Sequence, residues 1–327
     1  MIKVSVIIPV YNVAAFISCN VRSLLSQTLK EVEYIFVDDA TPDDSIDILY
    51  DNLENFPNRK DSVKVIHHQE NKGLPAARNT GLALAQGEYV YHCDSDDWVE
   101  PEMLENMYVA ARAADADIVY CDFFLSFEKN ERYMSNPNFD TAEDMLKKGF
   151  LSGTMKYNVW NKLVRRSLYV ENGIVFPEGH SMGEDMTMIQ LAAVADKVVY
   201  VPHAFYHYVK LNDNAYSNTF SQKKLDDIRF NVDRTVSFLE DKFGESLEKE
   251  ISLFKLSIKL PFLMTGDKDM FKLWGEWYPE ADKYADANTD LPKRTRLLQH
   301  MAAKGQWWYV KAYYTLIYKF IYGIIYK

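Results

Sequence analysis

Residues 88–102 read EYVYHCDSDDWVEPE, an apolar run that ends in Asp94, Asp96 and Asp97. Carboxylates are costly to bury without partners. A core strand ending this way either uses them as helix caps or delivers them to a site. The choice depends on the sheet around it. β-Branched and aromatic runs at 3–11 (KVSVIIPVY), 32–39 (VEYIFVDD), 63–68 (VKVIHH), 88–94 (EYVYHCD) and 117–125 (DIVYCDFFL) read as strands. Between them, residues 14–28, 45–56, 74–86 and 103–115 carry apolar positions at helical spacing. Thr41, Pro42 and Asp44 form a capping box ahead of the second helix, and Gly87 ends the third. The alternation predicts an α/β fold, an open, mostly parallel twisted sheet flanked by helices. A closed barrel would need eight repeats, and the rhythm breaks near residue 122.

Residues 123–220 are irregular, with NVWNKLVRR at 158–166 and GEDM at 183–186. From about 222 the chain reads as helical, which places one boundary at 220 and a C-terminal helical extension over 221–327. The 327 residues, 48% apolar and 26% charged, suit a folded domain with an appended one. An excess of 47 acidic over 37 basic residues argues against a general nucleic-acid binder. Cys19, Cys93 and Cys121 have no metal-ligand spacing and fit a reducing compartment. MIKVSVIIPVYN enters a strand directly, without the n-region and h-region of a signal peptide. No apolar run is long enough for an ordinary spanning helix.

In open α/β sheets, ligands sit beyond the C-terminal strand ends, near a switch in strand order. Both acidic knots fall there: Asp38–Asp39 after the second strand, Asp94 to Asp97 after the fourth. Hard divalent cations such as Mn²⁺ or Mg²⁺ prefer oxygen ligands, and two carboxylates form a partial shell that substrate phosphates complete. PVYNVAAF, after the first strand, is neither a dinucleotide fingerprint nor a P-loop.

The order of several short motifs resembles the large inverting glycosyltransferase family 2, with its A-type, Rossmann-like nucleotide-sugar fold, over roughly residues 3–210. The motifs are SVIIPVYN (5–12), FVDDATPDDS (36–45), the block NKGLPAARNTGLALAQGEYVYHCDSDD (71–97), NVWNKLVRR and GEDM. The resemblance implies a catalytic domain over 1–220 and roles residue by residue. Asp39, with Asp38 beside it, would receive the base. Pro9, Tyr11 and Asn12 would line the nucleotide side, Arg78 would lie near base and phosphates, and Asp94 near ribose or metal. Asp96 would be the direct metal ligand and Asp97 a brace for the loop. Asp185 would be the general base, with Glu184 orienting the acceptor, although either of these adjacent carboxylates could point inward. Trp160 would be an acceptor platform or simple core packing. Lys162 would approach the diphosphate or lie on a solvated surface. His207, in PHAFYHYVK (202–210), would touch phosphates or metal, or be an ordinary satisfied histidine; His67 and His68 would be structural.

The resemblance further implies a nucleotide-diphosphate sugar donor, most simply a UDP-sugar, and a glycan or lipid-linked acceptor of the kind used in bacterial surface-glycan assembly. A sugar-nucleotide nucleotidyltransferase and a non-catalytic glycan-binding protein of this fold are the rivals. The final stretch GQWWYVKAYYTLIYKFIYGIIYK (305–327) combines aromatics with Lys311, Lys319 and Lys327. It reads as an interfacial amphipathic helix on a membrane surface, or as a segment that packs or forms a homodimer. The corresponding location is cytoplasmic, at the inner face of the cell membrane.

Overall fold

The computed structural model describes residues 1–211 and 221–317. It divides into two compact units, one holding residues 1–143 and 157–235, the other 144–156 and 236–327. The polypeptide therefore passes between units near 143, 156 and 235, where the sequence pattern placed a single boundary at 220.

The first unit is built on a sheet of strands β1 (Val4–Val10), β2 (Val32–Asp38), β3 (Val63–His67), β4 (Tyr89–His92), β5 (Trp98–Val99), β6 (Ile118–Ser126), β7 (Glu131–Met134), β8 (Lys162–Arg165) and β9 (Val198–Val209). Their order is β3-β2-β1-β4-β8-β6-β9-β5, with β7 paired to β6. Four helices, α1 (Ile17–Leu25), α2 (Ser45–Leu53), α3 (Leu74–Leu84) and α4 (Met103–Ala114), accompany the first half. The strands β3, β2, β1 and β4 are parallel. β1, β2 and β4 are buried along their whole length, which is why they read as unbroken apolar runs. Beyond β4 the sheet becomes mixed. β8 enters antiparallel between β4 and β6, and β9 runs parallel to β6 with a bulge at Cys121–Phe123.

Two details set the site. From β1 the chain adds β2 and β3 on one side, then returns to place β4 on the other, so the order switches between β1 and β4. The registers Val10↔Asp38 and Ile7↔His92 bring three strand ends to one rim of this crevice. The second detail is Gly81. A β-carbon there would lie 2.3 Å from Ile7 Cγ2, so the glycine lets α3 settle directly on β1. That contact fixes the height at which Arg78, one turn earlier, meets the rim.

The start of α2 differs from the expected capping box. Asp44 makes no side-chain cap. Asp43 is the hub: its carboxylate accepts bonds from the Ser45 and Ala14 amides and from the Thr41 and Ser45 hydroxyls. A carboxylate offers more acceptor positions than a hydroxyl, so it can tie this helix start to the loop after β1.

The second unit is helical, with helices at Glu248–Lys259, Lys268–Glu276, Lys293–Ala303 and Trp307–Tyr313. Phe254, Leu263, Trp274, Leu298 and Val310 form its buried interior. Lys259 is fully buried, and its ammonium donates to the Trp274 and Trp277 carbonyls and to Asp282 over the Trp274 ring. Of the tail read as interfacial, Trp307 stacks on Phe271 at 5.7 Å while Trp308 and Leu316 are exposed. Residues 318–327 lie outside the described part. No helix among the described residues is long and apolar enough to cross a membrane.

Candidate active site

The loop after β4 alternates like a strand. Cys93, Ser95 and Asp97 turn inward and are buried, while Asp94 and Asp96 are partly exposed at the rim. Two anchors hold it. From α1, fully buried Asn20 donates to the Asp94 carbonyl at 3.0 Å and the Asp97 carbonyl at 2.9 Å. From the other side, the Asp97 carboxylate accepts from the Val209 amide at 2.7 Å and from the Tyr206 hydroxyl. Burial, with Asp96 and Asp94 nearby, pushes the Asp97 carboxyl well above the usual range. Asp97 is thus the brace that the resemblance implied. These bonds hold the loop through its backbone and through the Asp97 side chain.

Arg78 joins this loop to the late acidic pair. It is 1% exposed; one guanidinium nitrogen donates to Asp94 Oδ1 at 3.0 Å, and the other to Asp185 Oδ1 at 2.6 Å with Glu184 Oε1 at 3.6 Å. The planar fork suits such bridging. The surrounding carboxylates hold its charge on despite complete burial. Residues 94 and 185, distant in sequence, so become neighbours on one guanidinium. Asp94 is pushed up to about 6 by burial against the pull of Arg78. Glu184 is pushed up to about 8 by burial and by the neighbouring Asp185.

Such a shift makes stability depend on pH. Glu184 ionises near 4.5 in an unfolded chain and near 8 here. Its contribution is fully present below the lower value and is lost as pH rises through the upper one. Melting temperature of the ligand-free protein is expected to fall between about pH 5 and pH 8, and Glu184→Gln to flatten that slope in thermal melts over the range.

At the end of β1, Pro9 is buried within the strand, while Tyr11 and Asn12 stand exposed beyond it. Asn12 has a left-handed backbone (φ 54°), and its amide donates to Thr41 Oγ1. Asp38 accepts from the Thr41 amide and bonds His67. Asp39 is 3% exposed; it accepts from the Lys72 and Gly73 amides at 2.8 Å and bonds His68 at 2.6 Å. A bound base would share this carboxylate with those donors. His67 and His68 hold the two aspartates in place.

Burial separates the readings left open for three residues. Trp160 is 5% exposed and stacked 4.4 Å from Tyr206, edge-on to Phe123, so its ring packs in the core and is no open platform. Lys162 is 1% exposed and donates to the Asn158 carbonyl and Asn161 Oδ1. It is not a solvated lysine: burial lowers it to about 7 against the pull of the nearby Asp185. His207 is 2% exposed, stacked 3.3 Å from Trp98, with one ring nitrogen on Glu100 and the other on Glu131. Both nitrogens are engaged, so it clamps β5 to β9 and does not face phosphates. Two residues enter that the sequence did not single out. Asn20 is the loop anchor. Lys210, at the end of β9, lies 3.9 Å over the Tyr208 ring and carries its charge toward Asp97 and Asp96.

Among the described residues no cluster of three or more His, Cys, Asp or Glu side chains is disposed to hold a metal ion. Asp94 and Asp96 could supply two oxygens, which fits a divalent cation only when a ligand contributes the rest of the shell.

An α/β sheet whose switch point opens onto paired carboxylates bridged by a buried arginine agrees with the A-type glycosyltransferase fold that the sequence motifs resemble. Residues 5–180 match glycosyl transferase family 2, and the chain belongs to that family. It is 30% identical over 259 residues to the putative glycosyltransferase EpsH of Bacillus subtilis, covering 77% of this chain and 73% of that one. It spans 59% and 53% of two further relatives. Its fold is similar to that of Staphylococcus aureus TarS 1–349 in complex with UDP-GlcNAc, with a TM-score of 0.72, 20% identity and coverage of 96% and 91%. It is also similar to the mannosyltransferase PcManGT of Pyrobaculum calidifontis in complex with GDP-Man and Mn²⁺, with a TM-score of 0.53, 16% identity and coverage of 96% and 87%.

Proposed function

We propose that this glycosyltransferase moves a sugar from a UDP-sugar to a hydroxyl of a glycan or lipid-linked saccharide by a single inverting displacement assisted by a divalent cation. The bridge from Asp94 through Arg78 to Asp185 carries the reading, because one guanidinium joins the carboxylate proposed for the donor to the one proposed for the acceptor. Asp185 is the base and Glu184 is not. The Asp185 side chain is 24% exposed against 11% for Glu184, and a carboxyl that ionises near 8 is mostly protonated at neutral pH. Arg78 bonds Oδ1 of Asp185, so Oδ2 would be the atom that takes the acceptor proton. No enzyme nucleophile is needed. A retaining mechanism would instead require a carboxylate to attack the sugar.

Charge balance favours the cation. Asp94, Asp96 and Asp185 gather around Arg78 and Lys210, and a diphosphate adds further negative charge. Mn²⁺ or Mg²⁺ held by Asp94 and Asp96 would neutralise charge on the departing diphosphate. Lys210, near Asp96 and Asp97, would pair with a phosphate oxygen. The nucleotide is proposed as UDP from the resemblance to TarS with UDP-GlcNAc. PcManGT with GDP-Man shows that this fold also takes guanine. An acceptor at a membrane surface, reached through the exposed Trp308, Lys311 and Leu316, belongs to the same proposal.

A panel of UDP-, GDP- and dTDP-sugars, read by nucleotide release, tests it. UDP release with Mn²⁺ or Mg²⁺, lost with chelator, is the expected result. Release only from GDP-sugars, or turnover indifferent to chelator, overturns the donor or the cation respectively. Pyrophosphate release from a nucleoside triphosphate would point to the nucleotidyltransferase reading instead.

A further inference from the structure

The family match ends at residue 180, before the acidic pair and before the helix Gln222–Phe243. The part of that helix up to Thr235 belongs to the first unit. It carries a row of buried polar residues, Asp227, Asn231 and Thr235, exposed by 1%, 0% and 0%. A four-residue spacing puts them on one helix face. Buried polar faces are uncommon on helices that merely pack.

That face grips the loop leading to Glu184 and Asp185. Asn231 Nδ2 donates to the His180 carbonyl at 3.2 Å and the Met182 carbonyl at 3.0 Å. Asp227 bonds the His180 ring at 3.1 Å, and Lys223 donates to the Gly179 carbonyl at 2.9 Å. Past the acidic pair, Arg234 donates to Thr187 Oγ1. The gripped loop has left-handed glycines at 179 and 183 (φ 81° and 89°), a conformation with little preference of its own. Gly183 admits the close approach. A β-carbon on it would lie 3.0 Å from Met186 Cε and 3.5 Å from Asn231 Cβ.

We infer that Asn231 is a positioning residue for the Glu184–Asp185 pair, and that the helix bearing it is part of the catalytic unit through this clamp on residues 179–183. The inference rests on Asp185 being the base. Asn231 reaches two carbonyls of the loop that ends at the base, so it acts through the backbone and touches no substrate. Losing it frees that loop to shift, and a displacement near 1 Å at a reacting group can cost about 100-fold in rate.

The test uses the full chain, with the UDP-sugar that the donor panel selects and Mn²⁺ present. For Asn231→Ala the expected result is a fall in kcat of about 10- to 100-fold, with the UDP dissociation constant changed less than about twofold. Asn231→Ser keeps one donor hydroxyl and is expected to fall between. Lys223→Ala alters a largely exposed side chain and keeps the test alive should Asn231→Ala not fold; a loss of about threefold in kcat is expected. Asp185→Asn is measured alongside. If Asp185→Asn is inactive while Asn231→Ala and Lys223→Ala turn over at the wild-type rate, the clamp is overturned and the base assignment stands. UDP affinity falling in step with kcat overturns it too, because that marks general damage. If Asp185→Asn turns over normally, the base assignment falls and the clamp falls with it.

Discussion

Asp185→Asn is expected to leave a folded protein that binds its donor and transfers sugar about 10²- to 10⁴-fold more slowly, the usual contribution of a general base. The exchange is close to isosteric, and the amide oxygen can still accept the bond from Arg78, so the bridge to Asp94 persists. Lost is the ability to take a proton from the acceptor. Glu184→Gln is expected to cost less, since Glu184 is already largely protonated at neutral pH. A secondary effect follows from their proximity. Removing the Asp185 charge relieves one of the causes that raise Glu184, so its carboxyl ionises at lower pH in the variant. Residual activity of Asp185→Asn is therefore expected to rise with pH more steeply than that of the wild type. Steady-state transfer rates for both variants from pH 6 to 9, with UDP affinity measured separately, check this. If Glu184→Gln proves the more damaging, the base is Glu184.

Why the sequence revealed some of this and not the rest has physical reasons. Strands β1, β2 and β4 are sandwiched on both faces, and a strand with no solvent side shows as a continuous apolar run. β8 gave no such signal: it is the four residues Lys162–Arg165, with a basic residue at each end. Its insertion between β4 and β6 turns the second half of the sheet mixed. The acidic loop was legible because carboxylates at the end of a buried strand need a reason. Its anchor was not, because Asn20 acts from a helix 74 residues away and no local pattern marks it. Trp160 and His207 show the opposite failing. Residue types that often touch sugars or phosphates also fill cores, and only burial separates the two uses. Asp227, Asn231 and Thr235 recur every four residues, but a polar helix face reads as a solvated one until the packing is seen.

Arg78→Met is expected to destabilise the fold and to abolish transfer together. Removing one partner from a buried ion pair typically costs about 3–5 kcal/mol, because the remaining charge stays behind unpaired. Here Asp94, Glu184 and Asp185 would all lose the one guanidinium they face. Those groups can escape by binding protons. Without the arginine the folded-state pKa values of Asp94 and Glu184 rise further above the unfolded ones, so the stability they contribute is retained at low pH and lost as pH rises. The gap between wild type and Arg78→Met should therefore be small near pH 5 and widen toward pH 8, which urea titrations at the two pH values would read directly. Arg78→Lys separates charge from geometry. A lysine restores a cation but offers a point charge in place of a planar fork. It can pair with Asp94 or with Asp185, but not span both as the fork does. Stability should recover in large part while transfer stays depressed. If Arg78→Lys instead restores both, a positive charge alone suffices, and the fixed distance between the donor-side and acceptor-side carboxylates has no part in catalysis. If it restores neither, burial of the fork matters more to the fold than its charge, and the pH dependence of Arg78→Met should then be flat.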